Sequence, residues 1–219
     1  MNKIISPSNA SRTHDFYSLV APFYDAGVGP FLRMVRTDIC RIAKDLMCRR
    51  ILDVACGAGE QVVMLAKAGM KATGVDLSPA MLREALKKSP PGVCFFQGDA
   101  ASLPFAPGTF DCASISLALH EMEPQTGMKV LEQMLKVLSP HGKLIVFDYS
   151  ITNGFVSGLS LGLLGLIERL AGRRHFKNFV RFARAGAIER FLGQFALRTL
   201  ACRKYFFGSL GLYILEHKG

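Results

Sequence analysis

Arg50-Ile51-Leu52-Asp53-Val54-Ala55-Cys56-Gly57-Ala58-Gly59-Glu60 changes character halfway along. Arg50–Ala55 is a short apolar, β-branched run suited to a strand buried on both faces. Two glycines then allow a tight turn and close backbone approach by a ligand. Glu60–Ala68 resumes with Val62, Val63, Leu65 and Ala66 at helical spacing, and Gly69 is a natural stop. A strand, a glycine turn and a helix whose first N–H groups are unpaired suit close approach by a ligand, and taken alone they also fit an ordinary strand-to-helix turn.

The same beat runs outward from this unit. Lys71–Asp76 reads as a second strand, and Ser78-Pro79 opens a helix to about Lys88 with Ser78 as cap. Val93–Gln97 and Phe110–Leu117 read as strands and Pro124–Leu138 as a helix. Ser139-Pro140-His141-Gly142 reads as a turn, and Lys143–Asp148 as a fifth strand. Phe195–Lys204 and Tyr205–Glu216 read as an antiparallel pair at a sheet edge. Alternation at this spacing predicts an α/β fold with a doubly wound, mainly parallel sheet. The 219 residues are expected to form one domain, with residues 1–45 as an N-terminal helical cap and 151–190 as a helical lid insertion.

In such a sheet ligands bind beyond the carboxyl ends of the strands, so the loops there carry the chemistry. The G-x-G of Gly57 and Gly59 lacks the third glycine of a dinucleotide fingerprint, because position 62 is Val62. This disfavours a nicotinamide-linked oxidoreductase, the competing enzyme class. A non-catalytic cofactor-binding regulator is the competing binding class. Asp76 can accept hydrogen bonds from both hydroxyls of a ribose, and Asp99, after Gly98, from an adenine amino group. Each is also a plausible turn or cap residue taken alone.

Taken together, the three loops resemble those of class I S-adenosylmethionine-dependent methyltransferases, closest to the branch of ubiquinone and menaquinone C-methyltransferases. The resemblance covers about residues 16–150: ILDVACGAGE, TGVDLSPAML, QGDAASLPFAPGTFD and LSPHGKLIVFD, preceded by Tyr17-Ser18-Leu19-Val20-Ala21-Pro22-Phe23-Tyr24-Asp25. It implies a Rossmann-like, seven-stranded sheet and S-adenosyl-L-methionine as cofactor. It places Asp53, Ala55, Gly57 and Gly59 along the methionine part and Asp76 at the ribose. Leu77 and Met81 lie against the adenine, Asp99 and Ala100 at its edge, and Ser116 and Leu117 beneath the cofactor. Tyr17 or Tyr24 reaches its carboxylate end.

Catalytic candidates follow the fourth and fifth strands: His120 and Asp148, with Glu121 and Tyr149 beside them. The histidine has the proton affinity for base work at neutral pH. The N/D-P-P-Y/F tetrapeptide of nucleic-acid amino-methyltransferases is absent after the fourth strand, which disfavours a nucleic-acid partner. Six scattered cysteines show no metal-ligand spacing and read as apolar fillers in a reducing compartment. No metal is expected.

The net charge is +10, which favours an anionic partner without choosing one. Gly154–Phe182 begins as a Gly- and Leu-rich run. Arg169, Arg173, Arg174, Lys177, Arg181, Arg184 and Arg190 follow against Glu168 and Glu189, with Phe176, Phe179 and Phe182 interleaved. Two readings stand: a lid touching an anionic membrane, or a solvated basic face with its phenylalanines in the core. A second basic region spans Arg33 to Arg50, six cations against Asp38 and Asp45. The N-terminus lacks the apolar run of a secretory signal. The expected location is cytoplasmic with possible peripheral contact at the inner membrane face, and the expected acceptor a lipophilic small molecule such as a quinone precursor.

Overall fold

A computed structural model describes the backbone of residues 3–5, 17–151, 165, 169 and 172–218, and the side chains from residue 29 onward except Arg174. Strands β1 (Lys3–Ile5), β2 (Arg50–Val54), β3 (Lys71–Asp76), β4 (Cys94–Gln97), β5 (Phe110–Ser116), β6 (Leu138–Tyr149), β7 (Leu197–Tyr205) and β8 (Leu210–His217) form one sheet. Their order is β1-β4-β3-β2-β5-β6-β8-β7. Every neighbour from β1 to β6 is parallel, and β8 lies antiparallel between β6 and β7. The seven expected strands are all present, and the three-residue β1 adds an eighth at the β4 edge. It lies in the segment read as purely helical cap.

Helices α1 (Tyr17–Asp45), α2 (Glu60–Lys67) and α3 (Pro79–Lys88) cover one face, and α4 (Pro124–Val137) and the short α6 (Ala187–Leu192) the other. Leu32, Val35, Ile39 and Ala43 recur every three or four residues along α1 and are buried, which is how a long helix finds its face on the sheet. Ser78 caps α3 by accepting from Met81 N–H (3.2 Å). Gly59 sits at φ +77°, and a Cβ there would meet Ala85 Cβ at 2.7 Å and the Phe95 ring at 3.1 Å. The second glycine of the motif therefore allows α2, α3 and β4 to pack closely.

Three expectations change. Residues 139–142 do not turn the chain; they bulge within β6, between the pairs Phe110↔Leu138 and Cys112↔Lys143. Three residues more on β6 than on β5 are taken up without leaving the strand. The cysteines are not all reduced fillers, since Cys48 and Cys112 form a disulfide with Cα atoms 5.9 Å apart. The β7–β8 connection is longer than a tight hairpin and passes through a 3-10 turn at Phe206–Gly208.

Of the expected 151–190 lid, the Gly154–Leu164 run lies outside the described residues. Helix α5 (Arg173–Arg184) within it is described. Its Phe179 is buried against the Tyr149 ring (4.7 Å), while Arg173, Lys177 and Arg184 are exposed. Among the described residues no helix is long and apolar enough to cross a membrane.

Candidate functional site

The ends of β4, β3, β2, β5 and β6 stand side by side, so the loops singled out in the sequence converge on one edge. At the centre, Ala55 leaves β2 at φ +53° and Leu117 leaves β5 at φ +51°. Left-handed backbone at two non-glycine residues costs roughly 1–3 kcal/mol each, a strain that clusters at functional sites. After β2, Gly57 (φ +53°) lies so that a Cβ would meet nothing within 4 Å among the described residues. That open cradle, unlike the crowded Gly59, is space for a ligand rather than for packing.

Asp76 closes the cradle on the β3 side. Its Oδ2 accepts the Gly57 N–H (2.7 Å) and its Oδ1 the Ser78 N–H (2.8 Å). The carboxylate therefore shapes the glycine loop as well as facing it, a role that sequence reasoning missed. Next to it Leu77 is 54% exposed, an apolar surface at the place expected for an aromatic base. Asp99 is exposed and its Oδ1 accepts the Ala101 N–H (2.8 Å), holding the turn after β4 with Ala100 inside it. The Ser116 hydroxyl is buried with no hydrogen-bond partner among the described residues. The described side chains from β2, β3, β4 and β5 thus gather along one edge of the sheet. Those of Tyr17 and Tyr24 lie outside the described residues.

Asp53 is almost fully buried and accepts the Ser114 hydroxyl on Oδ1 (2.7 Å). Burial pushes its carboxyl up to about 7, opposed by the Ser114 bond and the Arg36 charge. The folded value lies above the unfolded value, so the native state keeps this proton while the unfolded chain loses it. Stability is then lost as pH rises from about 4 to about 7, by roughly 4 kcal/mol in total. Asp53→Asn removes that loss, and its stability in urea should stay level between pH 5 and pH 8 where the parent's falls. Equal slopes in the two proteins would contradict this. The partners Ser114 and Arg36 were not singled out beforehand; only the register Asp53↔Ser114 brings the serine across.

A second cluster follows β5 and β6. His120 lies in the 3-10 turn Leu119–Glu121 and is 2% exposed; Asp148, near the end of β6, is 1% exposed. The His120 Nδ1 is 2.7 Å from Asp148 Oδ1. Asp148 also accepts the N–H groups of Leu119 (3.0 Å), His120 (3.4 Å) and Tyr149 (2.7 Å). A carboxylate can only accept, so Nδ1 donates to Asp148. The ring packs edge-on against Tyr149 (4.6 Å) and near Phe182 (6.5 Å). Glu121 Oε1 lies 3.9 Å from Nε2, and Glu121 Oε2 3.6 Å from His175 Nδ1 on α5. Asn178 donates to Glu121 O (2.6 Å), and Arg181 bonds Glu123 (2.5 Å) and Met122 O (3.1 Å). The sequence-predicted pair His120 and Asp148 is brought together, closed over by α5. Of the α5 residues that dock there, Arg181 and Phe182 had been read within the basic, Phe-interleaved lid, and His175 and Asn178 had not been singled out.

Comparison with known proteins places this geometry. Residues 51–142 match the methyltransferase domain family. A demethylmenaquinone methyltransferase of Paenarthrobacter aurescens is 35% identical over 156 residues, 68% of this chain and 60% of that protein. The match thus spans less than two thirds of that relative's length. An N-methyltransferase, NodS, from Bradyrhizobium japonicum superposes with a TM-score of 0.62 at 19% identity, over 89% of this chain and 99% of its own. The plantazolicin methyltransferase BpumL, solved with S-adenosylhomocysteine, gives 0.66 at 15% identity over 93% of each chain.

Proposed function

We propose that this chain, whose residues 51–142 match the methyltransferase domain family, is an S-adenosylmethionine-dependent methyltransferase that transfers a methyl group to a lipophilic small acceptor such as a quinone precursor. The observation that supports it most is the open Gly57 cradle tied to Asp76, with the exposed Leu77 beside it. Asp76 would hold the ribose hydroxyls, Leu77 and Met81 the adenine face, Asp99 and Ala100 its edge. Asp53, Ala55, Gly57, Gly59, Ser116 and Leu117 would line the methionine side, with Tyr17 or Tyr24 at the carboxylate end. When bound, the cofactor supplies an already activated methyl group on a cationic sulfur. What remains for the chain is to align the acceptor and exclude water.

His120 and Asp148 have the arrangement of a base and its orienting carboxylate, since Asp148 holds Nδ1 at 2.7 Å. An acceptor hydroxyl or an acidic ring carbon would lose its proton to Nε2 after displacing the α5 side chains that cover the ring. The relative named for demethylmenaquinone methylation supports an apolar aromatic acceptor, and fold alone does not select one. The exposed cations of α5 and the net charge of +10 support a peripheral contact with an anionic membrane.

The first test is calorimetry with S-adenosylhomocysteine and with NAD, followed by radiolabelled methyl transfer to hydroquinones of increasing chain length. Binding of S-adenosylhomocysteine and transfer rising with chain length are expected. NAD binding in its place would overturn the reading. Cofactor binding without transfer to any lipophilic acceptor would leave a binding protein.

A further inference from the structure

The strongest apolar exposure next to the site is not on α5. It lies on the turn between β7 and β8, where Phe207 is 72% exposed. Phe206 (φ +47°), Phe207 (φ +55°) and Gly208 (φ +90°) are three left-handed residues in succession, two of them bulky aromatics. Glycine takes this conformation without strain and a phenylalanine does not. A strained backbone that carries an aromatic into solvent is an outlier from which function can be argued.

The turn is anchored from behind. Phe206 packs on Phe31 of α1 (6.4 Å between rings), and Phe31 on Tyr205 (6.1 Å). Asp38, one stripe further along α1, accepts the Tyr205 hydroxyl (2.7 Å). Met34 lies between Phe31 and Asp38 on that stripe and is 48% exposed. Two arginines reach Asp38 on this stripe, Arg41 and Arg203, whose side chains are 64% and 57% exposed. Asp38 is the only acidic residue of 29–44 and 197–215. It is buried beneath the patch and bonds Arg203 (2.8 Å) and Arg41 (3.2 Å).

An exposed aromatic tip, a neighbouring methionine and a surplus of arginines match a negatively charged, oily interface. We propose that the Phe206–Phe207 turn, with Met34, Arg41 and Arg203, docks the protein onto an anionic lipid bilayer. Phe207 enters below the headgroups and the guanidinium groups meet lipid phosphates. Ser150 N–H donates to Ser209 O (3.0 Å), and Leu210 pairs with Tyr149, so the turn stands two residues from Asp148 at the same sheet edge. Docking there brings the open edge of the site to the membrane, where a lipophilic acceptor dissolves. That last consequence rests on the proposed function; the docking does not.

The sequence contains no tryptophan, so Phe207→Trp introduces a single indole at the tip, excited apart from the tyrosines at about 295 nm. Its emission should shift to the blue, and become protected from acrylamide, on adding phosphatidylglycerol–phosphatidylcholine vesicles. Pure phosphatidylcholine should leave it unchanged, and salt should reverse the shift. Phe207→Gly removes the ring and relieves the left-handed strain, so it should melt no lower than the parent. Its partition to the anionic vesicles should fall about tenfold or more. Its methyl transfer to a water-soluble short-chain acceptor should be unchanged. An unshifted indole, or parental partitioning of Phe207→Gly, overturns the docking surface. A blue shift that needs no vesicles and grows with protein concentration overturns it in favour of a second copy. Docking with no methyl transfer would instead count against the proposed function.

Discussion

Asp76→Ala should weaken binding of S-adenosylhomocysteine roughly 30- to 100-fold. A ribose held by two hydrogen bonds to a charged acceptor loses about 2–3 kcal/mol when the acceptor goes. From the sequence alone the same substitution would be expected to leave the fold undisturbed. The structure predicts otherwise, because Asp76 also holds the Gly57 and Ser78 N–H groups. Leaving those two donors without their acceptor should cost a further 1–3 kcal/mol or so of stability. Asp76→Asn keeps one carbonyl acceptor and should melt closer to the parent while still binding poorly. Calorimetry on variants shown to be folded by circular dichroism decides the matter. Parental affinity in a folded Asp76→Ala protein would return the residue to a purely structural role in the loop.

Asp148→Ala should be the most destabilising single change in the site. The side chain is buried and accepts three backbone N–H groups as well as the His120 ring. Leaving the ring and the buried N–H donors without their acceptor costs about 1–3 kcal/mol for each group, so a total of roughly 3–5 kcal/mol is expected. In a chain of this size that is a fall in Tm on the order of 10 °C, and a near-parental Tm would refute it. Activity separates two roles for its partner. If His120 is the base, His120→Ala should lower kcat by a factor of about 10²–10⁴ and remove the histidine limb of the pH–rate profile. If the ring only holds the Leu119–Glu121 turn, KM should rise while the pH profile keeps its shape.

Much of this chain was legible before any coordinates. Hydrophobic runs of four to six residues, separated by helical spacing and glycine or Ser-Pro punctuation, specify a parallel α/β sheet because only buried strands tolerate continuous apolarity. The same local grammar marks the loops at the strand ends, so Asp53, Gly57, Asp76, Asp99, His120 and Asp148 could be named from their positions alone. Each lies within a few residues of a strand whose period is plain.

What the sequence could not contain is who faces whom across the sheet. The distance from Asp53 to Ser114, the Asp76 bond to Gly57 and the disulfide between Cys48 and Cys112 join residues 19 to 64 positions apart. They depend on strand order and register, which no local pattern encodes. The bulge at 139–142 was misread because Ser-Pro-His-Gly has turn chemistry, while pairing on both sides kept it within the strand. The phenylalanines of α5 and the one at Phe207 illustrate the same division. Composition put the aromatics among the cations, but packing alone decided that Phe179 is buried and Phe207 points into water. A side chain's exposure is set by the neighbours that cover it, and those arrive from distant parts of the chain.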